Sequence, residues 1–308
     1  MNQDFYRKLV TIISEEKIKQ NELLACHTTF RIGGPADYFV LPENPQEAAA
    51  VLKLCRKEQM PYSIIGYGSN LLVSDAGYRG LILKFPCQKA LVQFWQENDR
   101  LCARAGAGVP LMVFARDAAK AGATGFEFAA GIPGSVGGAV YMNAGAYGGE
   151  IKDYLVAVSV LDEEGNCQRI AADELELGYR HSVLQQKPWY VYEAEFSFPM
   201  GDTEAALQKI DELMRMRREK QPLEYPSAGS TFKRPEGYFA GKLIMDAGLA
   251  GFRIGGAAVS AKHCGFVINE ENASADDIMA VVKHVQKTVK ERYSVDLELE
   301  VRLLGDFS

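Results

Sequence analysis

Two glycine-rich stretches carry the clearest chemical signal in this sequence. One is Gly66-Tyr67-Gly68-Ser69-Asn70-Leu71-Leu72-Val73; the other is residues 130–149, with seven glycines and almost no charge. Missing Cβ atoms let a backbone take φ > 0 and let its amides approach another molecule closely. A surface of that kind suits a diphosphate. The longer stretch interleaves Ile132, Val136, Val140, Tyr141 and Met142, so it reads as packed chain rather than flexible linker. A tight turn without a ligand is the competing reading.

Neither stretch fits the common phosphate motifs. Leu71 stands where a Rossmann fingerprint needs its third glycine, and residues 69–73 read as a new strand rather than a helix. No glycine loop ends in Gly-Lys-Ser/Thr, which excludes a Walker A site. The polar candidates are weak when taken singly. Ser230 between Gly229 and Thr231 is by default a turn hydroxyl, and Phe232 rules out a Gly-x-Ser-x-Gly elbow. Glu300 is by default a solvated side chain, and Arg180 an ion-pair partner. His27, His181, His263 and His284 have no ligand spacing, so no metal site is expected.

The elements that must position these residues follow from periodicity and punctuation. Phe5, Leu9 and Ile12/Ile13 predict a helix over 3–18, and residues 27–40 read as two extended pieces around Gly33-Gly34-Pro35. Asn44-Pro45-Gln46-Glu47 starts a helix reaching about Lys57. Strands are expected at 62–65, 69–73, 80–85 and 101–105, a helix at 110–120, and a hairpin joining 156–162 to 168–170. A charged helix over 203–220 opens a last domain. A polar loop at 226–233, a helix near 238–247 and a strand at 265–269 follow, and Ser274 with Asp277 forms a capping box for a helix to about Tyr293. Strict alternation over 297–303 predicts a strand with Glu298, Glu300 and Arg302 on one face.

Length and composition set the outer bounds. At 308 residues, 47% hydrophobic and 24% charged, the chain can bury a real core in two or three domains. A net charge of −6 without a Lys/Arg stripe argues against a nucleic-acid surface and for a small-molecule partner. Six scattered cysteines without a CxxC pair read as reduced thiols. No basic leader and no long apolar run appear, so a cytoplasmic protein without a membrane partner is expected, and a monomer.

Five motifs, collinear from about Phe30 to Gly305, resemble the UDP-N-acetylenolpyruvoylglucosamine reductase family. They are residues 66–73, residues 130–149, Tyr179-Arg180-His181-Ser182, Ala228-Gly229-Ser230-Thr231-Phe232-Lys233, and Leu299-Glu300-Val301-Arg302. The resemblance implies an α+β fold, with a two-lobed FAD-binding domain of the vanillyl-alcohol oxidase type over 1–200 (lobes about 1–87 and 88–200). A C-terminal α+β substrate-binding domain would cover 201–308. It implies noncovalent FAD cradled by Gly66, Tyr67, Gly68, Ser69, Asn70, Leu71, Gly131, Pro133, Gly134, Ser135, Gly137, Gly138, Asn143 and Ala146.

The implied activity is reduction of UDP-N-acetylglucosamine enolpyruvate, hydride passing from NADPH to flavin N5 and then to the β-carbon of the enolpyruvyl group. In that reading Arg180 meets the substrate carboxylate, Ser230 donates the proton, Glu300 supports the same end, and Tyr179 and Lys220 contact substrate or diphosphate. A cation and a proton donor are what charge developing at the α-carbon requires. Arg234 departs from the Asn some relatives carry there. The short path from Arg180 to Thr203 places the chain in the branch without a long substrate lid. Two alternatives stay open: another flavoprotein of the same superfamily acting on a sugar or alcohol, and a noncatalytic nucleotide-sugar binding module. Oxidases of that superfamily often attach flavin through His or Cys near the first glycine loop, where this chain has Tyr67.

Overall fold

A computed structural model describes residues 2–87 and 92–307. The chain divides into two compact units. One comprises Met1–Gln20, Tyr38–Gly66 and Gly80–Met216, the other Asn21–Asp37, Tyr67–Arg79 and Arg217–Ser308. The division falls at Met216, inside the helix Thr203–Lys220, whereas the sequence suggested a boundary at 200/201. The lobe junction expected at 87/88 borders residues 88–91, which lie outside the described residues.

Among the described residues the first unit holds two cores. A five-stranded antiparallel sheet runs in the order Cys167–Ala171, Leu155–Leu161, Tyr190–Pro199, Arg100–Gly106, Val92–Glu97. Its central strand turns Ala194, Phe196 and Phe198 inward, and Phe114 of the helix Leu111–Lys120 meets Phe196 at 5.0 Å between ring centroids. Aromatic pairs at this separation add to the area they bury. The second core gathers Phe5, Leu9, Tyr38, Leu52, Cys55 and Leu81. Burial there pushes the Cys55 thiol up to about 12, so it packs as a neutral hydrophobe. The helix Pro45–Lys57 supplies much of this core and begins as its sequence dictates, with the Asn44 side chain accepting from Glu47 N.

In the second unit the three-stranded sheet Arg253–Ile254, Ala257–Val259, Val267–Asn269 packs on the helix Ala275–Tyr293. That helix buries Ile278, Val281, Val282, Val285 and Val289, the 3.6-residue stripe of an amphipathic helix. Its first turn is capped twice: Ser274 and Asp277 form the reciprocal box, and the Asp75 carboxylate accepts from Ala275 N at 2.8 Å.

Three sequence expectations are corrected. The first helix is only Gln3–Leu9, because Thr11, Ile12 and Ile13 form a β-branched run that continues a helix poorly; Ile13 is nonetheless buried. Within 27–40 only Pro35–Val40 is a strand. The Thr28 hydroxyl bonds locally to Ile32, and Arg31 sits at φ +57°, so that backbone is diverted from extended pairing. The alternating 297–303 segment is not one strand. Leu299 bridges Phe232, while Arg302–Leu304 pairs in parallel with Leu71–Val73, so the partner changes around Glu300.

Candidate active site

The long glycine stretch is a built element rather than an open loop. Ser135 caps the short helix Val136–Tyr141, its Oγ accepting from Gly138 N at 3.2 Å. Val136 N and Gly137 N donate to the carbonyls of Val109 and Ala107 at 2.9 and 3.0 Å, and Gly134 O accepts from Leu111 N at 2.8 Å. Several of its amides are therefore engaged inside the protein. A Cβ at Gly137 would lie 2.8 Å from the Ala107 Cβ, and one at Gly66 would lie 2.3 Å from Ser135 Oγ, so close packing alone demands glycine at both. Gly131 closes the turn Glu127–Gly131, and Pro133 beyond it is exposed.

Past this helix the chain makes a two-residue hairpin, Gly145–Ala146 against Gly149–Glu150, with Tyr147 at φ +52° and Gly148 at +90°. Paired positive φ values match the right-handed twist of short hairpins. Asn143, at φ +41° and fully buried, ties the region together. Its Nδ2 donates to Glu150 Oε2 at 3.0 Å and to Gly178 O at 2.8 Å, and its Oδ1 accepts from Lys152 N at 2.9 Å. Glu150 is held below the usual carboxylate range chiefly by Lys152, 2.8 Å away, with Asn143 and the positive charge of Arg180 acting the same way.

Arg180 stands at the tip of a turn closed by paired bonds between Gly178 and His181, at 3.1 and 3.2 Å. Its φ of +54° is left-handed, a conformation that costs a non-glycine residue on the order of 1–3 kcal/mol and persists only where surroundings enforce it. Gln185 Nε2 donates to Arg180 O at 3.0 Å and to Tyr141 O at 3.2 Å, and Ser182 Oγ donates to Tyr141 O at 2.6 Å. The half-buried guanidinium reaches Gly145 O at 3.4 Å and lies 5.1 Å from the ring centroid of exposed Tyr179.

Ser230 and Glu300 belong to the second unit, which brings their segments together through main chain. Thr231 N donates to Gly265 O at 2.8 Å, Glu300 N to Thr231 O at 2.9 Å, and Lys233 N to Glu298 O at 2.8 Å. The Thr231 hydroxyl accepts from Val267 N at 2.8 Å. Both Ser230 and Glu300 are half-buried. Asn70 joins the same ladder, Nδ2 donating to Glu300 O at 3.1 Å and its carbonyl accepting from Arg302 N at 3.0 Å. Lys220, the last residue of its helix, is exposed.

The first glycine loop offers a test of fit to a flavin nucleotide. Gly68 takes φ +62°, and its carbonyl accepts from Thr29 N at 3.3 Å. Thr29 Oγ1 is buried without a hydrogen-bond partner, although buried hydroxyls are ordinarily paired. An orphaned hydroxyl beside Gly68-Ser69-Asn70 is the kind of group a diphosphate or ribityl chain satisfies, so the residues present fit the group. Reading the sequence missed Thr29, Gln185 and Glu150. Asn143 and Glu150 lie seven residues apart, but Gln185 is 44 residues from its Tyr141 acceptor.

Family models match in two places: residues 36–171 match an FAD binding domain, and residues 221–304 match the C-terminal domain of UDP-N-acetylenolpyruvoylglucosamine reductase. The reductase of that name from Lachnoclostridium phytofermentans is 54% identical over 306 residues, 99% of each chain. The one from Clostridium perfringens is 50% identical over 307 residues, again 99% of each. Among solved structures, the Thermus caldophilus UDP-N-acetylenolpyruvylglucosamine reductase superposes with a TM-score of 0.78 at 34% identity, covering 93% of this chain and 99% of that one.

Proposed function

Since the chain belongs to the UDP-N-acetylenolpyruvoylglucosamine reductase family, we propose that it reduces the enolpyruvyl ether of UDP-N-acetylglucosamine to UDP-N-acetylmuramate, a step in making peptidoglycan precursors. FAD is its noncovalent cofactor and NADPH its reductant. The observation that carries this reading is the 54% identity to a reductase of that name across 99% of both chains. FAD would be held by Gly66, Tyr67, Gly68, Ser69, Asn70 and Leu71 of the first glycine stretch. Gly131, Pro133, Gly134, Ser135, Gly137, Gly138 and Ala146 would serve from the second, while Asn143, fully buried with its side-chain amide engaged by Glu150, Gly178 and Lys152, would brace that stretch rather than touch the cofactor. When bound, the flavin supplies hydride taken from NADPH to the β-carbon of the enolpyruvyl group.

The chain's own residues handle the charge and the proton. Negative charge develops at the α-carbon and carboxylate, and the planar, permanently charged fork of Arg180 suits that carboxylate. Ser230 delivers its hydroxyl proton to the α-carbon, a transfer that demands a hydroxyl held against the reacting atom and a stabilised anion. Glu300 supports the same end of the substrate, and Tyr179 and Lys220 contact substrate or diphosphate. We further read the chain as a cytoplasmic monomer without nucleic-acid or membrane partners. The net charge of −6, without a Lys/Arg stripe, speaks against a nucleic-acid surface, and among the described residues no helix is long and apolar enough to cross a membrane.

Denaturing the purified yellow protein should release free FAD, and the native protein should form UDP-N-acetylmuramate with one NADPH oxidised per product. Flavin left on the polypeptide, or no product, would contradict the assignment.

A further inference from the structure

We propose that Gln185, together with Asn143, is a positioning residue that sets recognition of the substrate carboxylate by enforcing the left-handed backbone at Arg180. This rests on the reading that Arg180 binds that carboxylate. Three non-glycine residues of one cluster have positive φ: Asn143 at +41°, Tyr147 at +52° and Arg180 at +54°. Such backbones persist only where neighbours over-determine them, and they gather at functional sites.

The bonds between Gly178 and His181 close the turn but leave the Arg180 carbonyl to be fixed from elsewhere. Gln185 fixes it at 3.0 Å, and its second donation, to Tyr141 O, anchors its carboxamide to the end of the glycine-stretch helix. Asn143 takes the other arm of the turn through Gly178 O at 2.8 Å, and the same amide group fixes Glu150 at the end of the Gly145 hairpin. The two carboxamides thus join the Arg180 turn to the helix and hairpin beside it. Letting Arg180 relax to negative φ would swing its Cβ and carry the guanidinium away from Gly145 O.

The test uses holoprotein and two ligands that differ in the carboxylate. Affinities for UDP-N-acetylmuramate, which carries it, and for UDP-N-acetylglucosamine, which does not, are measured by calorimetry for wild type, Gln185→Leu and Arg180→Ala. Gln185→Leu keeps the size and removes the donor. It should weaken UDP-N-acetylmuramate by about tenfold to 100-fold, the scale of a misplaced binding group, raise KM for the enolpyruvyl ether more than it lowers kcat, and leave UDP-N-acetylglucosamine unchanged. Should that variant not fold, Gln185→Glu, which cannot donate when ionised, carries the same comparison. Equal weakening of both ligands, or of neither, overturns the clamp. If Arg180→Ala abolishes discrimination while Gln185→Leu does not, only the positioning claim fails. If Arg180→Ala leaves discrimination intact, the role of Arg180 fails and the clamp with it.

Discussion

Arg180 and Ser230 reach their positions by opposite means. The Arg180 turn, strained at φ +54°, is closed on itself by main-chain bonds between Gly178 and His181 but is tied to its neighbours by side chains, the carboxamides of Asn143 and Gln185. Ser230 sits in a segment joined to Gly265 and to 298–300 by main-chain bonds of 2.8–2.9 Å, with Val267 N held by the Thr231 hydroxyl. Main-chain ladders survive most side-chain changes, whereas a side-chain clamp can be undone by one substitution. Chemistry and stability should therefore separate cleanly around Ser230 and stay entangled around Arg180.

The largest effect is expected at Ser230. Ser230→Ala should slow turnover by roughly 10²–10⁴-fold, the range for a lost general acid. Its stability should stay within about 0.5 kcal/mol of wild type, since no ladder bond is touched. A large shift in the denaturant midpoint would break the contrast. Arg180→Gly should lose about 100-fold in reaction with the enolpyruvyl ether. Because glycine takes positive φ without strain, urea unfolding should show that variant more stable by up to about 1 kcal/mol. Destabilisation would mean the turn is not strained.

Asn143→Ala should cost about 1–3 kcal/mol, because it removes three hydrogen bonds of a fully buried side chain to part-buried partners at Glu150, Lys152 and Gly178. The smallest effect belongs to the Asp277 cap. The amides of Ser274 and Gly256 hold its carboxyl below the ordinary 3.8, so the unfolded chain takes up the proton first as pH falls. The cap's contribution is complete above about pH 4 and disappears as pH drops through the lower folded value. Asp277→Asn should lower stability by about 1 kcal/mol at pH 7, and the gap should shrink in acid. A gap independent of pH would remove the charge from the account.

Signals contained within one element were legible in the sequence. Asn44 before Pro45 and Ser274 with Asp277 capped the helices they announced. The central strand Tyr190–Pro199 went unread although Ala194, Phe196 and Phe198 alternate with polar neighbours, and that strand takes up nearly half of the short path from Arg180 to Thr203. The glycines were legible as close approach, but not in what they approach: Gly66 and Gly137 meet Ser135 and Ala107 of the protein itself. Gln185 gave no signal, because its meaning lies in two carbonyls, one of them 44 residues away, and such pairings exist only in the folded chain. The roles proposed for Arg180, Ser230 and Glu300 rest on family motifs, since spacing alone left each with an ordinary structural reading.

The most direct measurement is anaerobic stopped-flow absorbance on protein first bleached with one equivalent of NADPH. Mixing with the enolpyruvyl ether of UDP-N-acetylglucosamine should restore the oxidised flavin spectrum within the turnover time and yield one equivalent of UDP-N-acetylmuramate. A spectrum that returns only when oxygen is admitted would contradict the account.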